Sequence, residues 1–158
     1  MTAPAPRAPA SCGRAAVVFE GFRALYAGPY SAYARIHLDR HQAADAVRRT
    51  FGTLVRRWPG VVGCHSPATV AWEHLVAHTG SRHQPLPLGA RSPLEYDTVV
   101  LHHILGYSVA RTGDVTGHHP SKIDYLARAW SPALAAECPT LPRASPALPA
   151  PVARPARP

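Results

Sequence analysis

The chain has 158 residues and a formal charge of +8, with 17 basic side chains against 9 acidic ones and a pI near 10.1. No apolar run approaches the roughly 20 residues that cross a bilayer, and the three cysteines (Cys12, Cys64 and Cys138) are too few and scattered for a disulfide framework. These features exclude a membrane-spanning protein and a disulfide-stapled scaffold, and the surplus of cations favours an anionic partner, of which nucleic acid is the commonest.

Residues 1–14 and 131–158 are Pro/Ala/Arg-rich, and the second stretch holds eight of the 18 prolines. Neither has the apolar periodicity that repays ordering entropy, so both read as disordered tails. With no apolar stretch behind the first charges, no secretory signal is expected, and the expected location is the cytoplasm.

Between the tails the chain reads as all-α, without strand signals, internal repeats or a Gly-rich phosphate loop. Val18, Phe22, Leu25 and Tyr26 mark one face of a first helix ending near Gly28. Pro29 then opens a second helix through Tyr30, Tyr33, Ile36 and Leu38. A third, on Ala44, Val47, Phe51, Leu54, Val55 and Trp58, is ended by Pro59-Gly60. Ser66-Pro67 caps and starts a fourth, with Val70, Ala71, Leu75 and either Trp72 or His78 facing inward, and Gly80 closes it.

Residues 81–91 carry alternating prolines and read as a linker. Ser92-Pro93-Leu94-Glu95 is a capping box that opens a helix through Val99, Val100, His103 and Ile104 to Gly106. Ser108 caps the next helix, Gly117 makes a turn, and Pro120 starts the last one. The domains are therefore 15–80 and 92–130, two small helical units, with Phe22, Tyr33, Val47, Phe51 and Leu54 in the core of the first.

Two helices joined by a glycine turn outline a helix-turn-helix. In the last helix Ile123, Leu126 and Ala127 should pack inward. Ser121, Lys122, Tyr125 and Arg128 then face outward near the helix start, with His119 beside them, where bases and phosphates of duplex DNA would lie. Free amides there also suit a phosphate. The same spacing fits an ordinary helical hairpin in a small bundle.

Other constellations are weaker. His74 and His78 are four apart and could share a metal with Cys64 or His65, but no HExxH order or carboxylate completes a site. A His/Cys metal-binding protein or metal-dependent enzyme is the reading of a different class. No nucleophile motif is present, so no enzyme and no cofactor is expected. Arg48-Arg49 and Arg56-Arg57 form a basic ridge on the third helix, which fits either a solvated face or a docking surface.

With these pieces in order, the stretch from about Phe19 to Trp130 resembles the extracytoplasmic-function class of bacterial RNA polymerase sigma factors. FEGFRALYAGPYSAYARIHLDRHQAADAVRRTFGTLVRRW is similar to that family's second conserved region, and VVLHHILGYSVARTGDVTGHHPSKIDYLARAW to its fourth. The resemblance implies a two-domain helical protein that binds RNA polymerase core and double-stranded promoter DNA, with an anti-sigma protein as a further candidate partner and no membrane contact. It assigns Asp45, Arg48, Arg49 and Arg56 to the polymerase, and Ser121, Lys122, Tyr125, Arg128 and His119 to DNA.

The chain also departs from the pattern. Arg48 and Arg49 replace a usual Gln-Glu at the polymerase surface. The fourth helix stops at Gly80 where the family continues into a long basic, promoter-opening segment. Arg111-Thr112-Gly113 replaces Glu-Ile-Ala, placing a hydroxyl in a core position and a helix-weakening glycine beside it. The alternative within the same class is a degenerate sigma-like regulator that binds DNA or a partner without melting promoters.

Overall fold

The computed structural model describes residues 10–130, all of whose regular elements are helical. They are α1 (Ala10–His37), α2 (Arg40–Val62), α3 (Pro67–Thr79), α4 (Pro93–Thr98) running into a π-helical segment (Val99–Ile104), α5 (Val109–Thr116) and α6 (Pro120–Ala129). The expected tail 131–158 lies outside the described residues, as do 1–9; residues 10–14, expected in the first tail, belong to α1. Among the described residues no helix is long and apolar enough to cross a membrane.

Several helix ends follow from local chemistry. The Ser66, Ser92 and Ser108 hydroxyls accept from the backbone N–H groups of Thr69, Glu95 and Arg111, each the third residue of its helix. Gly80 and Gly117 end α3 and α5 in the left-handed conformation, and Gly106 adopts it after the π-helical segment. The Glu95 carboxylate reaches back to the Arg91 N–H at 2.6 Å, completing a variant of the capping box one residue wider than expected.

The two expected proline breaks are not observed. Pro29 lies inside a continuous α1, and Pro59 inside α2, which runs on to Val62. A proline in a helix interior removes the donor to the carbonyl four residues back. In α1 that orphaned acceptor is Leu25 O, and the Arg111 guanidinium of α5 donates to it at 2.6 Å. Arg111 also lies 5.7 Å from the Tyr26 ring centroid. A long-range partner therefore replaces the missing helical bond.

The expected faces of α1 and α2 are observed in part: Phe22, Tyr26, Tyr30 and Tyr33 on α1 and Val47, Phe51, Leu54 and Trp58 on α2 lie in or against the core, and Val18, Leu25, Ala44 and Val55 do not. Val18 and Leu25 are 45% and 60% exposed, whereas Phe19, Tyr30 and Tyr33 are buried, with Phe22 and Tyr26 packed beside them. These aromatics recur at three- and four-residue spacing and stack on Phe51, Trp58 and Trp72. On α2 the buried set is Ala43, Ala46, Thr50, Phe51, Leu54, Trp58 and Val61, and Ala44 and Val55 are exposed. Tyr33, Phe51 and Leu54 are in the core as expected; Phe22 and Val47 flank it. On α3 it is Trp72, not the half-buried His78, that joins Ala71 and Leu75 inside. After α4, the π-helical register buries Val99, Val100 and Leu101 and leaves His103 and Ile104 exposed.

One hydrophobic cluster continues from Phe19 through Trp72 to Val99, Val100, Leu101 and Val115. The 81–91 segment is packed onto it: Leu88 is buried, its carbonyl accepts from Trp130 Nε1 at 2.8 Å, and the Leu86 N–H donates to Tyr96 Oη at 2.9 Å. Residues on both sides of that segment thus share a core.

At its centre is the Asp97 carboxylate, 1% exposed. Tyr33 Oη donates to Oδ1 at 2.8 Å, while Trp72 Nε1 and Arg82 Nη2 each donate to Oδ2 at 2.8 Å. Burial pushes this carboxyl up from its ordinary range, against the opposing pull of Trp72, Arg82 and Tyr33. A buried ion pair contributes little over an apolar substitute, but removing one partner strands the other charge. Asp97→Asn should therefore destabilise the fold by about 3 kcal/mol or more, read as a lower urea midpoint; an unchanged midpoint would remove Asp97 from this central role.

Candidate nucleic-acid interface

α5 and α6 are joined through Gly117, His118 and His119. Ile123 and Ala127 are buried and Leu126 half-buried, as their spacing required, which turns the opposite face of α6 to solvent. His119, Ser121, Lys122, Tyr125 and Arg128 are all exposed, Tyr125 to 70%. The structure brings these expected residues together on one surface.

That surface is anchored from below. Gly117 has φ +72°, and a Cβ there would collide with the N-terminal turn of α3: with Thr69 Oγ1 and N, and with Ser66 Oγ at 2.7 Å. The same Thr69 and Ser66 hydroxyls donate to Gly117 O at 3.1 and 3.3 Å. Gly113, a weak helix former by propensity, has a steric reason. A Cβ on it would lie 2.7 Å from His118 O and 3.5 Å from Pro120, so its absence lets the turn close. Gly113 O in return accepts from the Gly117 and His118 N–H groups.

Thr112 is fully buried, and its hydroxyl has no hydrogen-bond partner. The cost expected of a hydroxyl in that core position is therefore present in the structure.

The chemistry of the exposed face is narrower than its composition. His119 caps α6: its Nδ1 accepts from the Ser121 N–H at 3.3 Å and lies 2.6 Å from Ser121 Oγ. An Nδ1 that accepts carries no proton, so the cap and a phosphate-binding imidazolium are mutually exclusive states. The Lys122 and Ile123 N–H groups donate to His119 O at 3.0 and 3.3 Å. The free amides expected at this helix start are thus engaged. Arg128 meets Asp124 through both Nε and Nη2, at 3.1 and 3.0 Å, and its charge is locally offset. Lys122 makes no ion pair among the described residues. Among the described residues it is the one cation of α6 without an acidic partner, with Tyr125 one turn further on.

The residues assigned to polymerase lie apart from these, on α2. Asp45 is half-buried and paired with Arg48 at 2.5 Å; Arg49 and Arg56 are exposed and without an ion pair among the described residues. For the metal alternative, the His78 Nδ1 lies 3.0 Å from Thr50 Oγ1, and the Cys64 thiol donates to Gly60 O at 3.2 Å. Burial first, then His74 and Arg49, hold His78 below its ordinary pKa. Among the described residues no three His, Cys, Asp or Glu side chains come together as ligands, so His74, His78 and Cys64 are not assembled into a site.

Comparison of the chain with protein-family models, curated proteins and solved structures returns no match.

Sequence reasoning missed the supports of this face: the Ser66–Thr69 clamp, the Arg111–Leu25 bond and the Asp124–Arg128 offset. Only the last, an i,i+4 pair, had a local signal. Two substitutions probe the supports. Gly117→Ala should cost about 2 kcal/mol or more, from left-handed strain plus the collision with Thr69, seen as a lower melting temperature. Thr112→Val, which keeps the shape and removes the unpaired hydroxyl, should stabilise by about 1 kcal/mol. A loss of stability with valine would show that Thr112 has a hydrogen-bonding role.

Proposed function

We propose that this protein is a sigma-like DNA-binding protein of transcription in which α5, the Gly117 turn and α6 act as a helix-turn-helix on duplex DNA. In this reading, residues 15–80 and 92–130 are the two helical units implied by the resemblance, joined through their common core. The observation that carries the proposal is the exposed cluster of Ser121, Lys122 and Tyr125 on a helix whose other face is buried and whose leading turn is clamped to α3. Lys122 would neutralise a phosphate, and Tyr125 and Ser121 would lie against the groove.

Within that class, the reading is of a regulator that binds duplex DNA without opening it. Supporting this, α3 ends at Gly80 in a left-handed cap, and the following segment folds back onto the core instead of extending as a basic helix. RNA polymerase core and promoter DNA are the partners that the resemblance implies. The assignment of Asp45 and Arg48 to polymerase has less behind it, because the two neutralise each other on α2.

The test is binding of the full chain to duplex oligonucleotides across a salt series. Lys122→Ala should lower the slope of log affinity against log salt by about 1. Asp124→Ala, which releases Arg128, should raise affinity and steepen the slope. If Lys122→Ala with Tyr125→Ala leaves affinity and slope unchanged, α6 is not the DNA-binding element. In reconstituted transcription, initiation by core polymerase with this protein would overturn the no-melting part of the proposal.

A further inference from the structure

α2 displays more exposed arginines than α6. Arg49, Arg56 and Arg57 are exposed there, and none has an ion pair among the described residues. The acids of α2 and the helices beside it have other partners among the described residues: Asp45 pairs with Arg48, Asp39 caps α2, Glu20 lies 3.8 Å from Arg23, and Glu73 lies 3.8 Å from Arg82. Arg49 and Arg56 are two helical turns apart, so they share a face about 10 Å apart along the axis, with Arg57 beside the second. Gly52, Thr53 and Gly60 border this line. A Cβ on Gly52, between Arg49 and Arg56, or on Gly60, after Arg57, would meet nothing within 4 Å, so no neighbouring element crowds the helix at these two points.

We infer that this ridge is a second nucleic-acid contact, binding the phosphate backbone without reading sequence. Three arginines unopposed by carboxylates repel one another, and a polyanion relieves that repulsion while releasing its counterions. The guanidinium fork matches phosphate oxygens in pairs, giving short charge-assisted hydrogen bonds. The exposed apolar side chains beside the ridge are valines, Val55 and Val62, not the aromatic anchors that concentrate binding energy in protein interfaces. Charge complementarity therefore favours nucleic acid over a protein as its occupant. The ridge would supply most of the salt-dependent affinity, leaving α6, with one cation that lacks an acidic partner among the described residues, to contribute orientation and preference.

The experiment titrates the full chain into a fluorescent 25-base-pair duplex and a single strand of equal length, each across a salt series. Arg49→Ala, Arg56→Ala and Arg57→Ala are combined in one variant, the three lysine substitutions in a second, and Lys122→Ala with Tyr125→Ala in a third. Circular dichroism checks that each folds; the ridge side chains are exposed, so folding should be retained. The alanine variant should lower the duplex slope by roughly 2 to 3 and weaken binding about tenfold or more on every sequence. The lysine variant should restore the slope, because charge is what the slope counts. On the single strand the slope should fall less, by about 2.

An unchanged slope in the folded alanine variant overturns the ridge, whatever α6 does. A variant with unchanged nucleic-acid binding that no longer associates with RNA polymerase core also overturns it, in favour of protein docking. Loss of binding in the α6 variant alone supports α6 and counts against the ridge; loss of slope in the ridge variant alone does the reverse.

Discussion

The structure depends on satisfying one buried charge. The Asp97 carboxylate has donors from α1 (Tyr33), α3 (Trp72) and the segment after α3 (Arg82), and it sits on α4 itself. An ionised carboxylate out of water is expensive unless donors surround it closely. Each donor must therefore hold its position, which fixes four parts of the chain against one another. Apolar contacts alone would tolerate sliding; three hydrogen bonds at 2.8 Å to one group do not. The aromatic layer of Tyr30, Tyr33, Phe51 and Trp72 packs around this point and excludes water from it.

The placement of α6 is a consequence. With α4 fixed by Asp97, the π-helical segment and Gly106 redirect the chain into α5, and the Gly117 turn meets the first turn of α3. Arg111 adds a second tie, from α5 to the carbonyl that Pro29 leaves open in α1. The exposed face of α6 is thus presented by contacts to elements far away in the chain. A helix held in this way loses little conformational freedom when it binds, which is the advantage of a preorganised surface. Among the described residues the charges differ in character: α6 displays one cation without an acidic partner and an offset pair, while α2 displays, besides the Arg48–Asp45 pair, Arg49, Arg56 and Arg57 without acidic partners.

What could be read in the sequence follows the range of the interactions. Caps and stops at Ser66, Gly80, Ser92, Gly106, Ser108 and Gly117 were legible because their bonds close within a few residues. So was the outward face of α6, since Ile123 and Ala127 define the buried side of a short helix. The prolines misled because the compensation for Pro29 comes from Arg111, 86 residues from Leu25. On α1 the aromatics Phe22, Tyr26, Tyr30 and Tyr33 were legible, whereas Val18 yields to Phe19, the aromatic next to it, and Leu25 is exposed. Asp97 gave only a faint local hint, a carboxylate inside the apolar run YDTVVL, since its partners lie 15, 25 and 64 residues distant. Gly113 shows the reverse error: helix propensity marks it as a weakness, yet the close approach of His118 O requires it.

The central claim is that this rigid helical body presents α6 to duplex DNA. Backbone amide NMR of the full chain, titrated with a duplex oligonucleotide, tests it most directly. The amides from His118 to Arg128 should shift progressively, with a second set on α2 around Arg49 to Arg57, while those around Asp97 stay in place. Saturable binding that leaves the α6 amides unmoved would contradict it.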